Sequence, residues 1–174
     1  MALRTIRLYG DPILRRKAVP VGIIDEEIRT LARDMIETMH DAPGVGLAAP
    51  QVGRSIRMLV ADASAADGGD GARVFINPVI LESRGEWEYD EGCLSVPGLT
   101  AVLVRPEAVR VRFQDEHGKE REEEFHRLWS RVLQHEIDHL DGKLFVDYLS
   151  PMRRALILKK LKELARESKA RVSL

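Results

Sequence analysis

Between residues 26 and 40 the apolar positions recur three or four apart: Ile28, Leu31, Met35 and Met39 fall on one side of a helix. Asp25 stands just before them as an N-cap, so the spacing predicts a helix running to about His40. The period then breaks. GVGLAAPQ, 44–51, is rich in Gly, Ala and Pro, and 56–61 is an apolar run of strand length. SAADGGDG, 64–71, reads as a loop. Strands are predicted at 73–83, 99–104, 108–113 (the alternating AVRVRF) and 120–125. A second helix is predicted at 128–140, with Gly142 near its end. Ser150 and Pro151 read as the N-cap and first position of a last helix. The strands lie between helices without regular βαβ alternation, which predicts an α+β fold. The expected architecture is mixed or antiparallel sheets packed around the central helix 128–140, flanked by N-terminal and C-terminal helices. No internal repeat is visible, and 1–174 reads as one domain, with 150–174 its C-terminal helix.

Composition adds bounds. The 174 residues are 44% apolar and 32% charged, ordinary for a soluble globular protein with a sizeable core. A net charge of −1 gives no global drive toward nucleic acid or anionic membrane. No apolar run approaches the roughly 18 residues of a membrane span, and MALRTIRLYGDP has no apolar core of signal-peptide length. The single cysteine rules out an internal disulfide and suits a reducing compartment, so a cytoplasmic location is expected. No long apolar seam remains once the helices are assigned, and a monomer is expected.

The chemistry concentrates in QHEIDHL, 134–140. His135 and His139 are four apart and share a helix face, where two imidazoles can bind one divalent metal. Glu136 between them can take a proton from a water activated there. The third ligand is not fixed by this pattern. Phe145 stands where one metalloprotease class has a third histidine. Glu163, in a Lys/Arg-rich helix, is a poor but open candidate for a His2Glu set. Cys93, in EGCLSVPG, would complete a Cys/His/His set with one position left for water.

GVGLAAPQ at 44–51, EGCLS at 91–95 and QHEIDH at 134–139 together resemble the peptide deformylase family, in order and in separation. The resemblance runs from GDPILR, 10–15, to the FVDYLSP segment after the metal helix. It implies that Cys93, His135 and His139 hold the metal and that hydroxide generated there attacks the formyl carbon of an N-formylmethionyl peptide. Glu136 would act as general base and then general acid, giving formate and a free N-terminus. It implies Gln51 and the backbone N–H of Leu94 as oxyanion donors. The substrate would lie extended beside 44–51, where Gly44, Gly46, Ala48 and Ala49 let a backbone approach. The methionine pocket would be walled by Val45, Tyr89, Leu128 and Val132; Gly46 and Glu91 are also expected among the substrate-binding residues, with Glu91 paired to Arg105. The resemblance implies iron(II) as native metal, while the donor set also suits zinc, nickel or cobalt.

One departure stands just before the metal helix. The family commonly has glycine where this chain has Arg127, and glycine there could serve a positive φ that arginine resists. The pocket wall near Leu128 and Trp129 is the part affected. Two other functions remain open: a metallopeptidase sharing HExxH, and a structural or inactive deformylase-like metal site. A closed structural site needs four protein ligands, and no second cysteine exists. His40, His117 and His126 read as surface residues, and Trp87 and Trp129 as packing residues. From 153 to 174 there are eight Lys/Arg and two Asp/Glu, a net of +6. The favoured reading is a solvated face over a stripe of Leu158, Leu161 and Ala165. The alternative is docking on ribosomal RNA.

Overall fold

A computed structural model of the chain describes residues 2–173. The Asp25 carboxylate accepts the Ile28 N–H at 3.0 Å and starts α1, Glu26–Asp41. Ile28, Leu31, Met35 and Met39 are buried along its inner face. That face packs on β1 (Gly46–Ala48), β2 (Met58–Ala61) and the first residues of β3 (Arg73–Arg84). A single helical turn, α2 (Ser64–Asp67), joins β2 to β3. β4 (Trp87–Gly92), β5 (Thr100–Arg105), β6 (Ala108–Gln114) and β7 (Glu120–His126) follow. α3 (Arg127–Leu140) and α4 (Pro151–Val172) complete the chain.

Five strands form one antiparallel sheet in the order β1-β2-β3-β6-β7, while β4 and β5 pair as a separate ribbon. α1 and α3 lie against opposite faces of the larger sheet. Met58 and Val60 face α1, whereas Leu59 and Ala61 face α3, as the two-residue strand period requires. Burial on both sides is why this strand reads as a continuous apolar run rather than an alternation. Leu133, Ile137 and Leu140 of α3 pack against Phe75, Val111 and Phe113. A third cluster, with Leu103, Phe145, Leu161 and Leu164, joins the ribbon to α4.

The α+β class and the placing of the helices follow the sequence pattern. Several local expectations do not. GVGLAAPQ, to which the sequence pattern assigned no element, holds a short strand and a 3-10 turn, Ala49–Val52. The loop 64–71 contains α2. The strand 87–92 was not expected, because WEYDEG carries four outward-facing polar or exposed positions and lacks an apolar face. On α4 the buried positions are Leu161, Leu164 and Ser168, while Leu158 is exposed, so the apolar stripe is rotated from the expected one. α3 begins at Arg127, with φ +50°. The chain thus takes the left-handed conformation there without glycine.

Candidate metal centre and substrate cleft

α3 presents His135 and His139 one turn apart on the face toward the ribbon, with ring centroids 5.0 Å apart. Cys93 follows β4 directly and reaches the same point: its Sγ is 3.3 Å from His139 Nε2. One donor atom from each of Cys93, His135 and His139 lies within 4.8 Å of the others. The His135 Nδ1–H donates to Glu91 Oε1 at 2.5 Å, because an ionised carboxylate only accepts. That fixes the tautomer and leaves the Nε2 lone pair for a ligand. One thiolate and two imidazoles suit zinc, iron, cobalt or nickel. Glu163 lies exposed on α4, outside this group, so the downstream glutamate of a His2Glu set is not supplied.

Glu91 binds four donors. Arg105 forks onto it at 2.7 and 2.8 Å, Arg131 adds a contact at 2.9 Å, and His135 takes the remaining position. Burial pushes the Glu91 carboxyl up, but the bonds from His135 and Arg105 outweigh it and hold the group well below the usual carboxylate range. Arg105 also donates to Asp138 at 2.9 Å, which accepts from the Tyr148 hydroxyl at 2.8 Å. The expected Glu91–Arg105 pair is therefore present. Glu91 stands in the cleft wall with its carboxylate turned into the protein, to ion pairs rather than to a ligand. Arg131 escaped sequence reasoning; its charge on a buried helix face, four before His135, was the available signal.

Glu136 is 4% exposed, and its Oε1 is 3.9 Å from His135 Nε2. Burial pushes its carboxyl up to about 7, into the range of a group that exchanges protons at neutral pH. Burial also drives His139 well below its ordinary value, aided by the adjacent His135, so this ring stays neutral. Burial opposes protonation of His135 too, yet bonding to Cys93 and Glu91 raises it well above its ordinary value. The same negative surroundings favour a cation at the convergence point.

Gln51, 1% exposed, lies within the 3-10 turn after β1. Its Oε1 accepts the Ala48 N–H at 2.8 Å, and its Nε2 lies 3.7 Å from Cys93 Sγ. A cleft of about 490 Å³ opens beside Cys93, with Gln51 behind the cysteine rather than in the lining. Val45, Gly46, Tyr89, Leu94, Leu128 and Val132 line it beside Cys93, His135 and Glu136. Val45 and Tyr89 are half-exposed at its rim, and Val132 is buried at its floor. Trp87 packs on Tyr89 with ring centroids 4.8 Å apart, and Trp129 Nε1 donates to Asp67 at 2.7 Å. His40, His117 and His126 stand exposed, away from the cleft. No helix among the described residues is long and apolar enough to cross a membrane.

Comparison with known proteins agrees with this geometry. Residues 3–155 match the polypeptide deformylase family. A peptide deformylase of Mesorhizobium japonicum is 47% identical over 168 residues, covering 96% of each chain. One from Pelodictyon phaeoclathratiforme is 50% identical over 162 residues, covering 92% of this chain and 86% of that protein. The crystal structure of a Legionella pneumophila peptide deformylase superposes with a TM-score of 0.87 at 47% identity, over 97% of this chain and 98% of that one. The Thermus thermophilus enzyme gives 0.87 at 46% identity, over 95% and 99%. With match, coverage and fold in accord, this chain belongs to the peptide deformylase family of metal-dependent hydrolases.

Proposed function

We propose that the chain removes the formyl group from N-formylmethionyl peptides, with Cys93, His135 and His139 as metal ligands. The observation that carries this reading is the convergence of those three donors, with the Gln51 amide against Cys93 and the buried Glu136 facing the adjoining cleft. A divalent metal held there, iron(II) by family resemblance, supplies Lewis acidity and lowers the pKa of water toward 7. Glu136 takes the proton of the attacking water as its oxygen bonds to the formyl carbon. Charge then develops on the formyl oxygen, and the Gln51 amide and the Leu94 N–H stabilise it in this reading. Glu136 returns the proton to the amine as the C–N bond breaks, giving formate and a free N-terminus.

The remaining residues bind. The peptide lies extended beside 44–46, where Gly44 and Gly46 leave the room that backbone pairing needs. Val45, Tyr89, Leu128 and Val132 accept the methionine side chain. Glu91 orients His135 and does not contact the peptide. The exposed Lys159, Lys160 and Lys162 of α4 support a second surface, for ribosomal RNA near an emerging substrate. Replacing these three with glutamine is expected to weaken ribosome co-sedimentation at low salt, and unchanged sedimentation removes the idea.

The decisive experiment measures formate release from a formyl-Met tripeptide under anaerobic conditions. Protein is loaded separately with iron(II), nickel(II) or zinc(II), and Glu136→Ala serves as control. Release that vanishes in the control supports the assignment and ranks the metals. Stoichiometric metal binding without release overturns it.

A further inference from the structure

A side-chain amide offers one acceptor oxygen and two donor hydrogens, and it stabilises an oxyanion only if one hydrogen stays aimed at it. At Gln51 the acceptor is committed: Oε1 takes the Ala48 N–H at 2.8 Å. That contact excludes the flipped amide, which would set donor against donor. One Nε2 hydrogen is committed as well, to Ser95 Oγ at 3.1 Å. The other is left for the side where Cys93 Sγ lies, 3.7 Å from Nε2. Neither residue is open to solvent, with Gln51 1% and Ser95 0% exposed. Water therefore offers no substitute for the hydroxyl.

The N-terminal segment holds both residues by their backbones. The Arg7 N–H donates to the Gln51 carbonyl at 2.7 Å, and the Tyr9 N–H donates to the Ser95 carbonyl at 2.8 Å. The loop after β4 and the turn after β1 are thus fixed relative to one another. We propose that Ser95 is a positioning residue: its hydroxyl holds the Gln51 amide so that the second N–H, the one directed toward Cys93 Sγ, meets the developing oxyanion. The inference rests on the role assigned to Gln51 above. Ser95 acts through Gln51 and touches no reacting atom.

The test is a double-mutant cycle read as kcat on a formyl-Met tripeptide with metal-loaded protein. Metal content and Tm are followed for every variant. Gln51→Ala is expected to lower kcat by roughly 10²–10³-fold. Ser95→Ala is expected to lower it roughly tenfold with little change in KM or metal content. In the Gln51→Ala background, Ser95→Ala should cost nothing more, since the group it positions is gone. Multiplication of the two single effects overturns the proposal, as does wild-type kcat in Ser95→Ala. Wild-type kcat in Gln51→Ala is a separate result, which removes the oxyanion reading itself.

A second readout needs no variant that could misfold. Hydrogen exchange at the Gln51 side-chain amide of the wild-type protein should show one protected and one faster hydrogen. Equal, fast exchange of both overturns the proposal.

Discussion

Gly46 and Glu136 are in contact that only a hydrogen on Cα permits: a Cβ at Gly46 would lie 2.6 Å from Glu136 Oε1 and 2.8 Å from Val132 Cγ1. Strand β1 and the helix that carries Glu136 are therefore fitted to each other at one residue. Gly46 leaves the space in which the Glu136 carboxylate sits.

Gly46→Ala must displace that carboxylate or push β1 from α3. Overpacking of this kind costs about 1–3 kcal/mol of stability. Loss of aligned acid–base catalysis costs roughly 10²–10⁴-fold. The expected outcome is a kcat at least a hundredfold lower, with metal content retained and Tm lowered by a few degrees. A variant with wild-type kcat would show that Glu136 does not depend on this fit.

Arg105 and Glu91 are buried, 7% and 5% exposed, and their pairing stands behind His135. Removing one partner of such a pair costs about 3–5 kcal/mol because the other charge is left uncompensated. Loss of orientation at a ligating histidine costs roughly 10–100-fold in metal affinity. Arg105→Ala should therefore lower stability in denaturant titration and weaken metal binding in a chelator competition. If only the first changes, Arg131 alone suffices to hold Glu91 against His135.

The parts legible in the sequence were those carried by period or by short chemical motifs. Asp25, Ser150 and the α1 apolar positions announce their elements because capping and amphipathic spacing are local properties. The residues brought together at the cleft were legible through three short motifs. Strand β4 was not, since its polar residues pair with β5 while its inward contacts come from Glu91 and from the backbone. Arg131 and Ser95 were missed for the same reason: their importance lies in partners 40 and 44 residues away. No local pattern encodes such contacts.

Asp34 ties the N-terminal segment to α1, accepting from the Ala2 N–H at 2.8 Å and from Arg4 at 2.6 and 2.9 Å. Burial pushes its carboxyl up, but the bonds from Arg4 and Ala2 prevail and hold it below its ordinary 3.8. A depressed carboxyl stabilises the fold above its unfolded pKa and loses that contribution as pH falls through the folded value. Asp34→Asn should cost roughly 2 kcal/mol at pH 7. The gap between variant and wild type should narrow as pH drops below about 4. A gap independent of pH down to 2 would remove the charge from this account.

Arg127 makes the last case. Its φ of +50° lies in the left-handed region, and among the described non-glycine residues only Asn77 shares it. Asparagine tolerates that region; arginine, with a full side chain and no local hydrogen bond to its own turn, tolerates it poorly. The Arg127 N–H donates to the Glu107 carbonyl at 2.8 Å, which fixes the turn that starts α3. Its guanidinium lies 5.4 Å from the centre of the Trp87 ring, an attraction worth about 0.5–1 kcal/mol at an exposed site. Strain and stacking oppose each other in the wild-type residue, and two substitutions separate them. Arg127→Ala loses the stacking and keeps the strain. Arg127→Gly loses the stacking and relieves the strain, offset by about 0.4–1 kcal/mol of added freedom in the unfolded chain. Strain of about 1–2 kcal/mol then leaves the glycine variant more stable than the alanine variant, by roughly 1 kcal/mol. Denaturant midpoints of the two variants measure this difference directly. An alanine variant as stable as the glycine variant would mean that the turn before α3 relaxes out of the left-handed region once the Trp87 contact is gone. In that event the stacking, not the Glu107 hydrogen bond, is what sets the start of the helix carrying His135 and His139.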